Sequence, residues 1–133
     1  LFRFDKLTQK AQEAVQQAQA IADKNQHQGL TPLHLLISLA SEREGIVRPV
    51  LEKCDVHPDA VVLEAERMLA GVPKVSGTGT GMYIAPALNQ VFERAFEEAE
   101  KFKDEFVSTE HLLLAIAQQK HEPAGQLLDR AGA

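Results

Sequence analysis

Leu7, Ala11, Ala14, Val15, Ala18, Ile21 and Ala22 return every three or four residues, with glutamines and charged residues between them. That period puts the apolar positions on one face of an α-helix. Asp5 or Thr8 can cap it by accepting an N–H bond from its opening turn. After Gly29, Thr31-Pro32 marks a second start: the threonine caps, and proline fits the first helical position, where its missing N–H had no partner. The helix this predicts, Pro32 to Ser41, is nearly apolar all round and belongs at the centre of the fold. A short third helix is expected from Ile46 to Cys54, with Pro49 tolerated in its first turn. His57-Pro58 opens a fourth, which carries Val61, Val62, Ala65, Met68 and Leu69 and stops at Gly71.

From Val72 to Tyr83 the period is lost, and Pro73, Gly77, Gly79 and Gly81 predict an extended connection. Helical spacing resumes after Pro86 with Leu88, Val91, Phe92, Ala95, Phe96, Ala99 and Phe102. Ser108 caps the next helix as Thr31 does, with Glu110 in its first turn, where a carboxylate suits the helix dipole. A last helix covers about Pro123 to Ala131. No segment predicts a strand, so the expected class is all-α.

The same segment occurs twice. Leu30-Thr31-Pro32-Leu33-His34-Leu35-Leu36 returns 77 positions later as Val107-Ser108-Thr109-Glu110-His111-Leu112-Leu113. The offset also aligns Ala18 with Ala95, Ala22 with Ala99, Lys24 with Lys101 and Leu51 with Leu128 without a gap. A repeat of this length implies a duplicated packing unit. The expected organisation is two tandem pseudo-repeats of a four-helix unit, about 1–71 and 84–133, joined by a linker over 72–83. Three helices follow the linker against four before it, so the last helix of the second repeat is expected to be cut off.

Composition narrows the function classes. A net charge of −5 without a basic cluster argues against nucleic acid as the main partner. A single cysteine, Cys54, excludes an internal disulfide framework and suits a reducing compartment. No apolar run approaches the roughly 18 residues a membrane span needs, and Leu1-Phe2-Arg3-Phe4-Asp5 has no signal-peptide pattern. A soluble cytoplasmic domain is expected.

Candidate chemistry is sparse. Gly77-Thr78-Gly79-Thr80-Gly81 lacks the spacing, the lysine and the preceding strand of a phosphate loop, and reads as linker. His34 and His111 begin equivalent helices, and His27, His57 and His121 make no HxxxH or HExxH pair with them, so the repeated histidines read as packing and hydrogen-bonding residues rather than metal ligands. No serine or cysteine has a recognisable base and orienting acid. Cys54 aligns with Ala131 and is expected to be a small packing residue. Glu93 to Lys103 forms a solvated charged face, with Glu97 expected to pair with Lys101. Phe2, Phe4 and Phe106 flank helix starts, where they staple a helix or line a groove.

Together, the duplicated unit, TPLHLL and STEHLLLA resemble the Clp N-terminal domain of AAA+ unfoldases. FDKLTQKAQEAVQQAQ, VPKVSGTG and KFKDEFVSTEHLLLAI are most similar to the ClpB-type disaggregase branch; ClpC-type domains keep a TEH-type motif in both copies, and here the first copy reads TPLHLL. The resemblance covers essentially the whole chain. It implies a substrate-binding domain tethered to two ATPase modules, which would hold ATP and Mg, in a homo-hexameric ring that threads unfolded or aggregated polypeptides with the DnaK system. The chain itself has no P-loop, so the domain is expected to be no enzyme and to need no cofactor.

The family pattern further implies a shallow apolar groove between the starts of the first and sixth helices, with Thr8, Asp104 and Glu110 as its polar rim. Leu7, Ala11, Leu88, Phe106 and Leu112 are candidates for its floor. An adaptor-docking or regulatory domain of the ClpA or ClpC type is the alternative expectation.

Overall fold

A computed structural model describes residues 4–74 and 82–133; Phe2 and the Gly77–Gly81 segment lie outside the described residues. Among these residues seven α-helices form in the expected order: α1 (Gln9–Lys24), α2 (Pro32–Ser41), α3 (Val47–Lys53), α4 (Pro58–Ala70), α5 (Pro86–Lys101), α6 (Thr109–Gln118) and α7 (Pro123–Ala131). Thr8 caps α1, as expected, and Thr31 and Ser108 close capping boxes with His34 and His111. Pro49 is the third residue of α3, where no intrahelical N–H is lost.

α2 is the centre. Every residue from Pro32 to Ala40 is buried, with α1 on one side, α4 on another and α6 across the middle of the molecule. α5 packs on α6, and α7 on both α6 and α4. Leu35, Leu36, Leu39, Phe92, Leu112 and Ile116 form the heart of one continuous core.

Two very short strands were not foreseen. β1 (Gly29–Leu30) pairs in parallel with β2 (Tyr83–Ile84), Leu30 opposite Ile84, and a single parallel bridge joins Leu7 to Val107. At the repeat offset Leu7 corresponds to Ile84 and Leu30 to Val107, so these are one contact made twice with the copies exchanged. Thr8 N–H donates to Val107 O and Ala85 N–H to Leu30 O, each at 2.9 Å. Two residues have too little alternation to declare a strand in a sequence.

The left-handed positions obey the same symmetry. Gln26 (φ 60°) matches Lys103 (φ 58°), and Asp55 (φ 62°) matches Gly132 (φ 99°). After the first pair, His27 N–H reaches back to Ala22 O and Asp104 N–H to Ala99 O, both at 2.8 Å.

Two local expectations need correction. Cys54 is exposed at the end of α3 rather than packed. Lys101 pairs with Glu98 at 3.5 Å, not with Glu97, because Glu98 is the residue turned against the body of the protein.

Candidate functional site

The Leu7–Val107 bridge lies immediately before Thr8 and Ser108, so the seam itself brings the starts of α1 and α6 together. Thr8 Oγ1 accepts the Ala11 N–H at 3.1 Å. Ser108 N–H donates to His111 Nδ1 at 2.9 Å, and His111 Nε2 lies 3.1 Å from Asp104 Oδ2. With Nδ1 accepting, the neutral ring carries its proton on Nε2 and donates it to the carboxylate. Asp104 thus orients His111, which in turn fixes the turn that presents Glu110.

The first copy uses the same device with another partner. Thr31 N–H donates to His34 Nδ1 at 3.0 Å, and His34 Nε2 lies 3.0 Å from His27 Nδ1, at the position that corresponds to Asp104. Burial, and then the neighbouring His27, push His34 down to about 4. His27 Nε2 is buried without a partner among the described residues.

Beside the α1 and α6 starts runs a cleft of about 590 Å³. α1 contributes Thr8, Lys10, Glu13, Ala14 and Gln17; the end of α2 contributes Ser38, Leu39, Ser41 and Glu42. Glu44, Gly45, Ile46 and Val47 come from the α2–α3 connection, and Ser108, Thr109 and Glu110 from α6. Glu13, Glu42, Glu44 and Glu110 make the border acidic, against one ammonium, Lys10, 4.0 Å from Glu13. Ile46 is the exposed apolar residue of the cleft, at 47 %. Arg48 anchors this wall: its Nη1 donates to Ala40 O at 2.7 Å and lies 3.1 Å from Asp59, whose carboxyl it holds below the usual range.

Thr8 and Glu110 therefore share one cleft. Asp104 is outside its lining, bonded to His111 at the start of α6, and Phe106, 46 % exposed, is not part of it either. The proposed floor is corrected: Leu7, Ala11, Leu88 and Leu112 are 2 % exposed or less and belong to the core, beyond reach of a ligand. Side chains one turn into a helix point to whichever neighbour packs there, and the spacing of α1 alone does not distinguish core from cleft. The missed residues are Ile46 with Glu13, Glu42 and Glu44, while Leu39 and Val47, 2 % exposed, back the cleft from the core. A signal for Glu42, Glu44 and Ile46 existed in the repeat, since Glu42 to Arg48 shares no residue with Gln119 to Gly125.

That divergence has a structural outcome. Glu13, Gln17, Ser38, Ser41, Glu42 and Glu44 correspond to Gln90, Arg94, Ala115, Gln118, Gln119 and His121, which line a smaller cavity of about 290 Å³. Gln119, 8 % exposed, fills the inner end, with Nε2 donating to Ala87 O at 2.9 Å. At the position of Arg48 stands Gly125, packed so closely that a Cβ would be driven into Gln119 O and lie 2.9 Å from Ile116 O. The first copy keeps the larger cleft; in the second, Gln119 narrows it to about half the volume.

Among the described residues no cluster of His, Cys, Asp and Glu could hold a metal ion, and no helix is long and apolar enough to cross a membrane.

Known proteins with this pattern agree with the geometry. The family described as the Clp repeat (R) N-terminal domain matches residues 6–131. The chaperone protein ClpB of Rhodopseudomonas palustris is 38% identical over 129 residues, covering 96% of this chain and 15% of that protein. ClpB of Bacillus cereus is 36% identical over 119 residues, 87% of this chain and 14% of its own length. The chain thus spans about a seventh of these relatives. Among solved structures, the Hsp104 N-terminal domain from Candida albicans superposes with a TM-score of 0.83 at 19% identity, covering 96% of this chain and 82% of that one. A complex of the ClpV N-domain with VipB peptide superposes with a TM-score of 0.77 at 18% identity, covering 98% and 81%. Duplicated helices, exchanged seam and sequence identity over nearly the whole chain converge: the protein belongs to the Clp repeat N-terminal domain family.

Proposed function

We propose that this domain recognises substrate for a ClpB-type, ATP-dependent disaggregase, by holding unfolded or aggregated polypeptide segments weakly in the cleft between α1 and α6. The observation that carries this reading is the open cleft itself, with exposed Ile46 inside an acidic border and Glu110 at a fixed helix start. Apolar side chains of an extended segment would cover Ile46, and flanking basic residues would meet the carboxylates. Burying one or two guest side chains gives roughly 1.5–3 kcal/mol each, against several kcal/mol for association. Affinity should therefore be on the order of tens of micromolar. In a hexamer, weak sites act together by raising effective concentration, and each still releases its segment to the pore. ATP and Mg belong to the ATPase modules of the longer protein, which would work with the DnaK system in the cytoplasm.

Titration with a reduced, alkylated protein, followed by amide chemical shifts, should perturb Thr8, Ile46 and Glu110. Ile46→Ala should weaken binding about five-fold, the cost of losing about 1 kcal/mol of apolar contact, with an unchanged melting temperature. Shifts confined to the Glu93–Lys103 face, or none, would sink the proposal. Docking of one defined partner is the second reading, favoured by the solved peptide complex of a domain of this fold. A folded partner bound far more tightly than unfolded chains would select it.

A further inference from the structure

The side chain that narrows the second copy's cavity indicates what the open cleft of the first can take. Gln119 corresponds to Glu42, and Ala87, whose carbonyl receives the Gln119 amide, corresponds to Lys10. Both carbonyls sit in the first turn of matched helices, α1 and α5. Each carries a second lone pair besides the one its helix uses. In the second copy that lone pair is occupied from within the chain. In the first copy Glu42 brings only acceptors, and its Oε1 takes the Glu44 N–H at 3.2 Å instead. Lys10 and Ala14 are left lining an open cleft.

The plug also shows which half of the amide matters. Gln119 Nε2 is bonded, whereas Gln119 Oε1 is buried with no partner among the described residues. In the second copy the place satisfies an N–H donor and leaves the acceptor without a protein partner among the described residues. A side chain with donors alone would fill it without leaving an orphan atom.

We propose that the cleft contains a subsite for an N–H-donating side chain of the bound segment, its donor going to the main-chain carbonyl of Lys10 in the place Gln119 takes in the other copy. The proposal rests on the reading that the cleft binds polypeptide, and adds a side-chain preference to it. Arginine meets the requirement best. The preference is for directed donors at one carbonyl, and it is separable from the attraction of the acidic border for the guest's charge.

Citrulline separates the two causes, because it keeps the length of arginine, its Nε–H and one terminal NH2, has no charge, and can turn its single oxygen to the solvent of the open cleft. Fluorescently labelled extended peptides, alike except for one central residue, would be titrated into the chain with norleucine, glutamine, arginine or citrulline at that place. The expected result is that citrulline binds about five-fold more tightly than norleucine, the gain of one hydrogen bond, and keeps that gain in high salt. The Lys10 carbonyl carbon should shift with arginine and citrulline and stay in place with norleucine. Citrulline equal to norleucine, with arginine alone tighter and only at low salt, would overturn the subsite and leave the cleft reading standing. If none of the peptides perturbs cleft residues, the cleft reading itself fails.

Discussion

His34 directs Nε2 at His27, whereas His111 directs its own at Asp104. His34 is closed to water and meets no carboxylate, so burial, and then the neighbouring His27, disfavour its charged form. Held at about 4 when folded against an ordinary 6.5, His34 is a group that the unfolded chain protonates first. Its contribution is complete above about pH 6.5 and is lost as pH falls through about 4, a difference of roughly 3 kcal/mol. His34→Gln keeps a capping-box residue at this position and removes the titration. Its melting temperature should therefore fall less than that of the parent between pH 6.5 and 4; parallel profiles would show that the buried pair does not control acid stability. The histidines' role as hydrogen-bonding residues at helix starts was legible, because they recur at a fixed place after a cap. Their different partners were not, since His27 and Asp104 become neighbours of the rings only through left-handed turns at Gln26 and Lys103. A left-handed residue other than glycine leaves little mark in a sequence.

At the level of the element, α3 and α7 are the same helix put to different uses. Arg48 reaches from α3 to the Ala40 carbonyl, while Gly125 lets α7 settle onto the end of α6. Gly125→Ala would drive a methyl group into the Gln119 carbonyl. A clash with backbone cannot be relieved by a rotamer change, so a loss of about 2–3 kcal/mol is expected. Chemical denaturation measures it: a midpoint within error of the parent would mean that α7 can move away freely. Helix positions were readable because caps, prolines and apolar spacing agreed at nearly every start. The cleft was only half readable. Thr8 and Glu110 could be found at the helix starts, but the walls depend on how far α3 stands from α2. Arg48 bonds across to the end of α2 where Gly125 packs against the end of α6, and no period reports that difference.

Across the whole molecule, the seams tie each copy's first helix to the other copy's central one. Thr8 and Ala85 immediately precede helices, where N–H groups ordinarily exchange readily with solvent. Both are bonded across the copies at 2.9 Å, as are Tyr83 to Gln28 at 2.9 Å and Val107 to Lys6 at 2.8 Å. These four amides should exchange with deuterium far more slowly than Lys10, in the open first turn of α1. Equal rates would show the seams to be open in solution. The exchange of partners has a further consequence. Because the strand before one copy's α2 completes the start of the other copy's α5, and the converse, the two halves meet as the subunits of an isologous dimer do. In assembly terms this chain is a homodimer whose subunits share one covalent tether. A true homodimer must accept every substitution twice, once in each subunit. The tether lifts that constraint, so Glu110 can face Leu33, and Gln119 can face Glu42, in a molecule whose framework still keeps its two-fold plan.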